Sequence, residues 1–405
     1  AGVVGVLVVG VAVAAAAPGR DQGGWVDWRS WDLTPDPPPG PPASIDLLQR
    51  YGQLQWPETP SVVMRVRAER ALSMKAASFE LFDGLAFEPG PRGPSLHLVR
   101  QGDRLDVPAA PAPPATTLVR QDVELVGATS PFVMAGGTIV GLQGRVPADA
   151  YQVGDRVEAK PPLTRGSRYA VTVRVTDPGP RALLAARTYD SGRVDALLTQ
   201  VTAGLGGRVV TVPVWGTGGT PPSAEEFGPY AGVYRLARRV VGDAATPYAA
   251  VNRIESFLRS EYAYDEAPPY PPAGTPPLAD FLLRTRRGFC QHFAGAMALM
   301  LRMNGIPARV AVGFTSGRYD SDTNAFEVWD RDAHAWVEVL FPRYGWLPFD
   351  PTPGRFAANR ASVSSPDYAP RPIDINLSGL RRLAVRAPEV PAPPARSPAP
   401  VASRG

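Results

Sequence analysis

The side chains with the plainest capacity for chemistry are a single cysteine, Cys290, and the histidines His292 and His334 that follow it within 44 residues. A lone cysteine can form neither an intrachain disulfide nor a Cys-rich metal site, so its thiol is either inert packing or a nucleophile. In RRGFCQHFAGAMALMLRMNGIPARV, Gly288 breaks one element, and the apolar stretch from Phe293 to Met303 has helical spacing. That pattern predicts Cys290 at a helix N-terminus. There the positive end of the helix dipole, with Arg286 and Arg287 nearby, favours the thiolate, which is the nucleophilic form.

A thiolate of this kind works with a base that takes the thiol proton and an acid that orients the base. In NAFEVWDRDAHAWVEVLFPRYGWLPFDPTPG, a strand from Ala333 to Phe341, a turn at Pro342 to Gly345 and a strand from Trp346 to Asp350 fit the pattern. His334 and Asp350 each lie eight residues from Pro342, which sets them roughly opposite one another within about two or three residues of register. Bland readings stand beside this one: His334 as an ordinary strand histidine, Asp350 as a turn-former before Pro351. His292 is the rival base, but side chains two apart on a helix point away from each other, which favours His334. Asp330 and Asp332 are rival acids, but they precede the histidine on its own strand and read as surface residues.

These residues resemble the transglutaminase-like superfamily, in particular bacterial membrane-anchored proteins with an extracytoplasmic transglutaminase-like domain. The resemblance runs from about Tyr248 to Gly354 through FLLRTRRGFCQHFAGAMALMLRMNGIPARVAVGF, DAHAWVEVLF and GWLPFDPTPG, and SFELFDG (78–84) is similar to the domain that precedes it. It implies an α+β fold: a papain-like transglutaminase core, in which a helix headed by Cys290 packs on an antiparallel sheet bearing His334 and Asp350, preceded by a mostly β domain. It also implies acyl transfer from a peptide carboxamide through a thioester, with an amine or water as acceptor; from the residues themselves, no cofactor or metal is expected. Animal transglutaminases stabilise the oxyanion with a tryptophan well upstream of the cysteine, and the stretch from Arg253 to Phe257 has none. The backbone N–H of Cys290 is then the candidate donor.

The elements that must position these groups can be read in outline. Thr246 caps a helix whose first position is Pro247 and whose apolar face carries Ala250, Val251, Ile254, Phe257 and Leu258. A second helix is expected from about Leu278 to Arg286, stopping at Gly288. Alternation at Tyr169, Val171, Val173 and Val175, and the run TTLVRQDVELV (116–126), predict strands. PAAPAPPA (108–115) cannot lie in a central strand. The organisation is thus a β-rich domain at 61–180, a connecting segment at 181–245, the catalytic core at 246–356 and a Pro/Ala-rich tail at 357–405. Arg309, after Gly305, Ile306 and Pro307, is expected in the packing of a helix-to-strand turn, and Trp329, Trp336 and Trp346 line either a cleft or the core.

At the other end, residues 1–17 form an uncharged apolar run of ~26 Å as a helix, which reads as the end of a membrane-spanning segment followed by a linker at 18–60. The rival is the core of a signal peptide; either places the rest across a membrane. The net charge of +4 comes from scattered arginines, with only Lys75 and Lys160 as lysines, so no nucleic-acid footprint is present and self-crosslinking through lysine is disfavoured. DSDT (320–323) is too short for a calcium loop. The competing functions are a transamidase or deamidase, a cysteine peptidase or amidase on extracytoplasmic or cell-wall peptides, and a catalytically silent binding module.

Overall fold

The computed structural model describes residues 43–44, 51–54, 59–90, 95–144, 149–153, 155–190, 192 and 194–354. The apolar run at 1–17, most of the linker at 18–60 and the tail at 357–405 lie outside the described residues. The chain is α+β with mainly antiparallel sheets, as expected. The strands that matter here are β1 (Val62–Ala68), β2 (Met74–Phe79), β3 (Thr116–Leu125), β4 (Thr138–Gly144), β5 (Asp149–Val153), β6 (Arg156–Leu163) and β7 (Arg168–Thr176). Helices α1 (Ala231–Val241), α2 (Pro247–Glu261) and α3 (Cys290–Arg302) follow, then β8 (Ala308–Phe314), β9 (Arg318–Asp320), β10 (Ala325–Trp329), β11 (Ala333–Phe341) and β12 (Gly345–Phe349).

The two sequence halves exchange strands. A four-stranded sheet runs β12-β11-β8-β2, and an eight-stranded sheet runs β9-β10-β1-β3-β7-β4 before two short strands at 104–106 and 100–101. Thus β2 leaves the N-terminal half to pair with β8, Phe79 opposite Val310, while β10 leaves the C-terminal half to pair with β1, Glu327 opposite Arg65. Backbone ladders, rather than side chains alone, tie the halves together. DSDT forms the turn of the β9-β10 hairpin, where the Thr323 hydroxyl donates to Asp320 at 2.8 Å and the Thr323 carbonyl accepts from Arg67 of β1.

α3 is buried along its whole length except at Gln291, and from Phe293 to Leu301 its sequence is apolar on all sides. It packs on β11, β8 and α2. α2 begins as its sequence predicts: the Thr246 hydroxyl accepts from the Ala249 N–H at 3.2 Å, and Pro247 needs no such partner. Its core face is Ala250, Val251, Ile254 and Leu258, with Phe257 only half-buried. The second expected helix is different. A single turn at Pro277–Asp280 widens into a π-turn at Phe281–Thr285, closed by the Arg286 N–H on the Phe281 carbonyl at 3.0 Å. Arg286 itself, at φ 52°, ends it in the left-handed region, and Arg287–Gly288 then pairs with Ala263–Tyr264 as a short parallel strand.

Arg309 corrects a second expectation. It sits opposite Glu338 in the β8-β11 ladder, and these two buried side chains form the centre of an ion cluster whose other members, Lys75, Asp155 and Glu80, are half-buried. Arg309 reaches Glu338 at 2.6 Å, Glu80 at 3.0 Å and Asp155, while Lys75 reaches Asp155 at 2.7 Å and Glu338 at 2.9 Å. Burial pushes these groups toward their neutral forms, and the opposite charges more than reverse it. Asp155 and Glu338 are held below the ordinary carboxylate range by Arg309 and Lys75, whose own protons are held more tightly. Asp155 comes from the turn between β5 and β6, so the cluster ties a hairpin of the N-terminal half to the face of the four-stranded sheet. The SFELFDG segment supplies much of it: Ser78 bonds Asp155 and Glu338, and Glu80 takes Arg309. Phe79 and Phe82 enter the core, and Asp83 closes a turn on the amides of Leu85 and Ala86.

Removing one member of a buried charge cluster leaves its partners uncompensated. Glu338→Ala is therefore expected to lower the unfolding free energy by about 3–5 kcal/mol, measured by chemical denaturation. A loss below about 1 kcal/mol, the size typical of exposed pairs, would contradict the buried-network account.

Candidate active site

Three of the elements converge on one point. Cys290 is the first residue of α3, His334 the second of β11, and Asp350 follows the last residue of β12. The β11-β12 register sets Val337 against Phe349, so Asp350 falls level with Trp336, two residues from the position facing His334. That diagonal is short enough: His334 Nε2 and Asp350 Oδ2 are 2.7 Å apart, both fully buried. Burial by itself would drive the imidazole to its neutral form. The Asp350 charge and hydrogen bond, with a smaller contribution from the Cys290 thiol, reverse this and lift its pKa to about 9. Asp350 is held below its ordinary value, since His334 and Thr352 outweigh its burial.

With Nε2 on the carboxylate, Nδ1 is the nitrogen left to face a proton donor. It is buried and has no hydrogen bond of ordinary geometry, while Cys290 acts on the same ring by hydrogen bonding and by charge. The arrangement can hold a thiolate beside an imidazolium at a helix N-terminus. The backbone N–H of Cys290 belongs to the first turn of α3, where amides are directed out of the helix end.

The rival residues have other duties. The His292 ring packs among Tyr51, Phe281 and Phe289, and its Nδ1 accepts from the Phe289 N–H at 3.4 Å. It closes the start of α3 as a Glu or Gln does in a capping box. Burial brings its pKa down to about 3, so it stays neutral and keeps that acceptor. Gly288 is required beneath it, since a Cβ there would lie 2.7 Å from the ring. Asp332 accepts from the Trp329 N–H at 2.8 Å. Asp330, read as a surface residue, is fully buried and accepts from the N–H and hydroxyl of Ser61. It locks the crossover between sheets, a role invisible without the β1-β10 pairing.

Neighbours that sequence reasoning left open now have places. Trp336 is buried and stacks beside His334, ring centroids 6.4 Å apart, while Trp346 lies under the Arg309 guanidinium at 4.0 Å. Trp329 carries Arg331 over its ring at 5.4 Å. Arg287 is paired with Asp265 and Arg286 lies over the Tyr262 ring, so both cations flanking Cys290 in sequence have local partners. Gly313 stands opposite His334 in the ladder, and a Cβ there would meet the Met74 carbonyl at 2.0 Å; the neighbouring strand therefore approaches as closely as it does only because the residue is glycine. Sequence reasoning missed Glu255 and Arg259, which bond the Asp350 peptide from α2. Their spacing of four residues was the available signal.

A thiol heading a buried helix, an imidazole and a carboxylate follow in this order on an antiparallel sheet, an arrangement that suits thiol-based acyl transfer. Residues 234–351 match the transglutaminase-like superfamily core. A protein-glutamine gamma-glutamyltransferase of Pseudomonas aeruginosa is 46% identical over 109 residues, covering 27% of this chain and 16% of that protein. The YebA protein of Bacillus subtilis is 37% identical over 141 residues, 33% of this chain and 19% of that one. The chain thus spans less than a fifth of these relatives. The crystal structure of the periplasmic domain of TgpA from Pseudomonas aeruginosa aligns with 74% of this chain and 93% of that one, at 26% identity and a TM-score of 0.48. The chain carries a transglutaminase-like domain.

The linkage has a defined sign. His334, raised to about 9, stabilises the fold fully below its unfolded value of about 6.5, and loses that contribution as pH rises through about 9. Asp350, held low, contributes above its unfolded value of about 3.9 and loses it as pH falls further. The melting-temperature gap between the parent and His334→Ala is therefore expected to narrow from about pH 6 to about pH 10. A gap independent of pH would mean that the imidazole is not held as a cation.

Proposed function

We propose that the chain catalyses thiol-dependent acyl transfer from peptide carboxamides, with Cys290 as nucleophile, His334 as base and acid, and Asp350 as the orienting carboxylate. The reading is carried by the 2.7 Å bond from His334 to Asp350, with the Cys290 thiol acting on the same ring. The thiolate attacks the carboxamide carbon, and the oxyanion that forms is met by the Cys290 backbone N–H. The C–N bond breaks, the imidazolium gives its proton to the departing ammonia, and a thioester remains. An amine or water then attacks the thioester, losing its proton to His334, and the C–S bond breaks to release the thiolate beside the restored imidazolium. An amine gives transamidation and water gives deamidation.

The relative named a protein-glutamine gamma-glutamyltransferase supports the carboxamide as acyl donor, and the superfamily match supports the thiol chemistry. The substrate is then a glutamine-bearing peptide or protein, with an amine acceptor supplied from outside. With only two lysines, one of them bound in the Arg309 cluster, the chain itself offers few acceptors. The location we propose is extracytoplasmic, next to a membrane held through the apolar run at 1–17, and no nucleic acid is involved.

Ammonia release from a glutamine-containing peptide, with and without an added primary amine, tests the reading. Release in both arms is expected, with amine incorporated into the peptide in the second. Cys290→Ala is expected to abolish it, and Asp350→Asn to reduce kcat by about a thousandfold or more. Cleavage of the peptide backbone without ammonia would replace this reading by a peptidase, and neither product would leave a silent binding module.

A further inference from the structure

Asp350 lies one residue past β12, so its N–H and C=O fall beyond the ladder that ends in the Val337–Phe349 pair. The residue is nevertheless fully buried. Buried peptide groups need partners, and a strand end without them holds no single orientation. Both partners come from α2. The Asp350 N–H donates to Glu255 Oε1 at 3.1 Å, and its carbonyl accepts from Arg259 Nη1 at 3.0 Å.

Glu255 and Arg259 are about one helical turn apart and project from the same face of α2. One supplies an acceptor and the other a donor, so together they fix the peptide on both sides of the Asp350 Cα. Pro351 removes the helical option for the same residue. The side chain is then fully committed, Oδ2 to His334 and Oδ1 to the Thr352 N–H at 3.0 Å. The direction of the carboxylate, and through it the direction of the imidazole, is set from α2.

We propose that Glu255 and Arg259 are positioning residues of this site, gripping the Asp350 peptide so that its carboxylate holds His334 in register with Cys290. The proposal rests on the Cys-His-Asp reading above. Because the grip is made by one acceptor and one donor, an amide at 255 and an ammonium at 259 preserve it.

Alkylation of Cys290 by iodoacetamide, followed across pH by the mass of the intact chain, reads the thiol–imidazole pair without assuming a substrate. Glu255→Ala and Arg259→Leu are each expected to slow alkylation at about pH 6 by about tenfold to a hundredfold, the scale of a ~1 Å misplacement. Their profiles are expected to move toward ~8.5, the ordinary thiol value. Glu255→Gln and Arg259→Lys are expected to keep the parent profile, and melting curves establish that each variant is folded. If Glu255→Ala does not fold, Glu255→Met, of similar length but lacking an acceptor, takes its place. Truncations that keep the parent profile, or conservative variants that lose as much as the truncations, overturn the proposal. A parent that itself reacts only near ~8.5 overturns the Cys-His-Asp reading instead.

Discussion

A buried imidazole beside a buried carboxylate is the constraint around which this molecule is arranged. Taken out of water, each group favours its neutral form, and a neutral pair would neither hold a thiolate nor pass a proton to a leaving amine. At 2.7 Å the two charges reverse that preference together, and the reversal exists only while the distance holds. A carboxylate at the free end of a strand is a poor place to keep such a distance. The clamp from α2, the Thr352 amide and the fixed ring of Pro351 turn that end into a rigid one.

The same logic of mutual compensation recurs further along the four-stranded sheet. Arg309, Lys75, Glu338 and Asp155 are each too costly to bury alone, and each is stable because the others are present. Trp336 stands on β11 between Glu338 and His334, so the ion cluster and the candidate site share one strand. The cluster draws in Asp155 from the turn between β5 and β6, and the exchanged strands β2 and β10 carry backbone ladders both ways. The four-stranded sheet is therefore held by the N-terminal half as well as by its own helices. Its fourth strand comes from residues more than 200 positions before Cys290, in keeping with the Phe79–Val310 pairing.

The nucleophile is presented differently, by a helix and not by a strand. α3 is apolar all round, so it can only be central, and its N-terminus is fixed where His292 closes the first turn over Gly288. A histidine two residues from the candidate nucleophile invites a catalytic reading. Its ring instead needs to be neutral to accept the Phe289 amide, and burial keeps it so. The two histidines thus diverge by environment alone: one meets a carboxylate, the other a ring of aromatics.

Local signals were enough for much of this. The Thr246-Pro247 start of α2, the helix headed by Cys290, the hairpin of Ala333–Phe341 with its partner strand, and the Cys, His and Asp residues themselves all follow from spacing and residue type, because caps, turns and periodicity are decided by near neighbours. What tertiary structure alone decided depends on residues far apart in sequence. The strand exchange, the burial of Asp330 against Ser61, the ion cluster around Arg309 and the hold of α2 on Asp350 each join positions separated by 77 residues or more, except the Arg309–Glu338 pair at 29. Charged side chains look alike in a sequence whether they are solvated or buried. Only packing removes the water, and only then does a carboxylate's choice of partner acquire the energy to fix a structure.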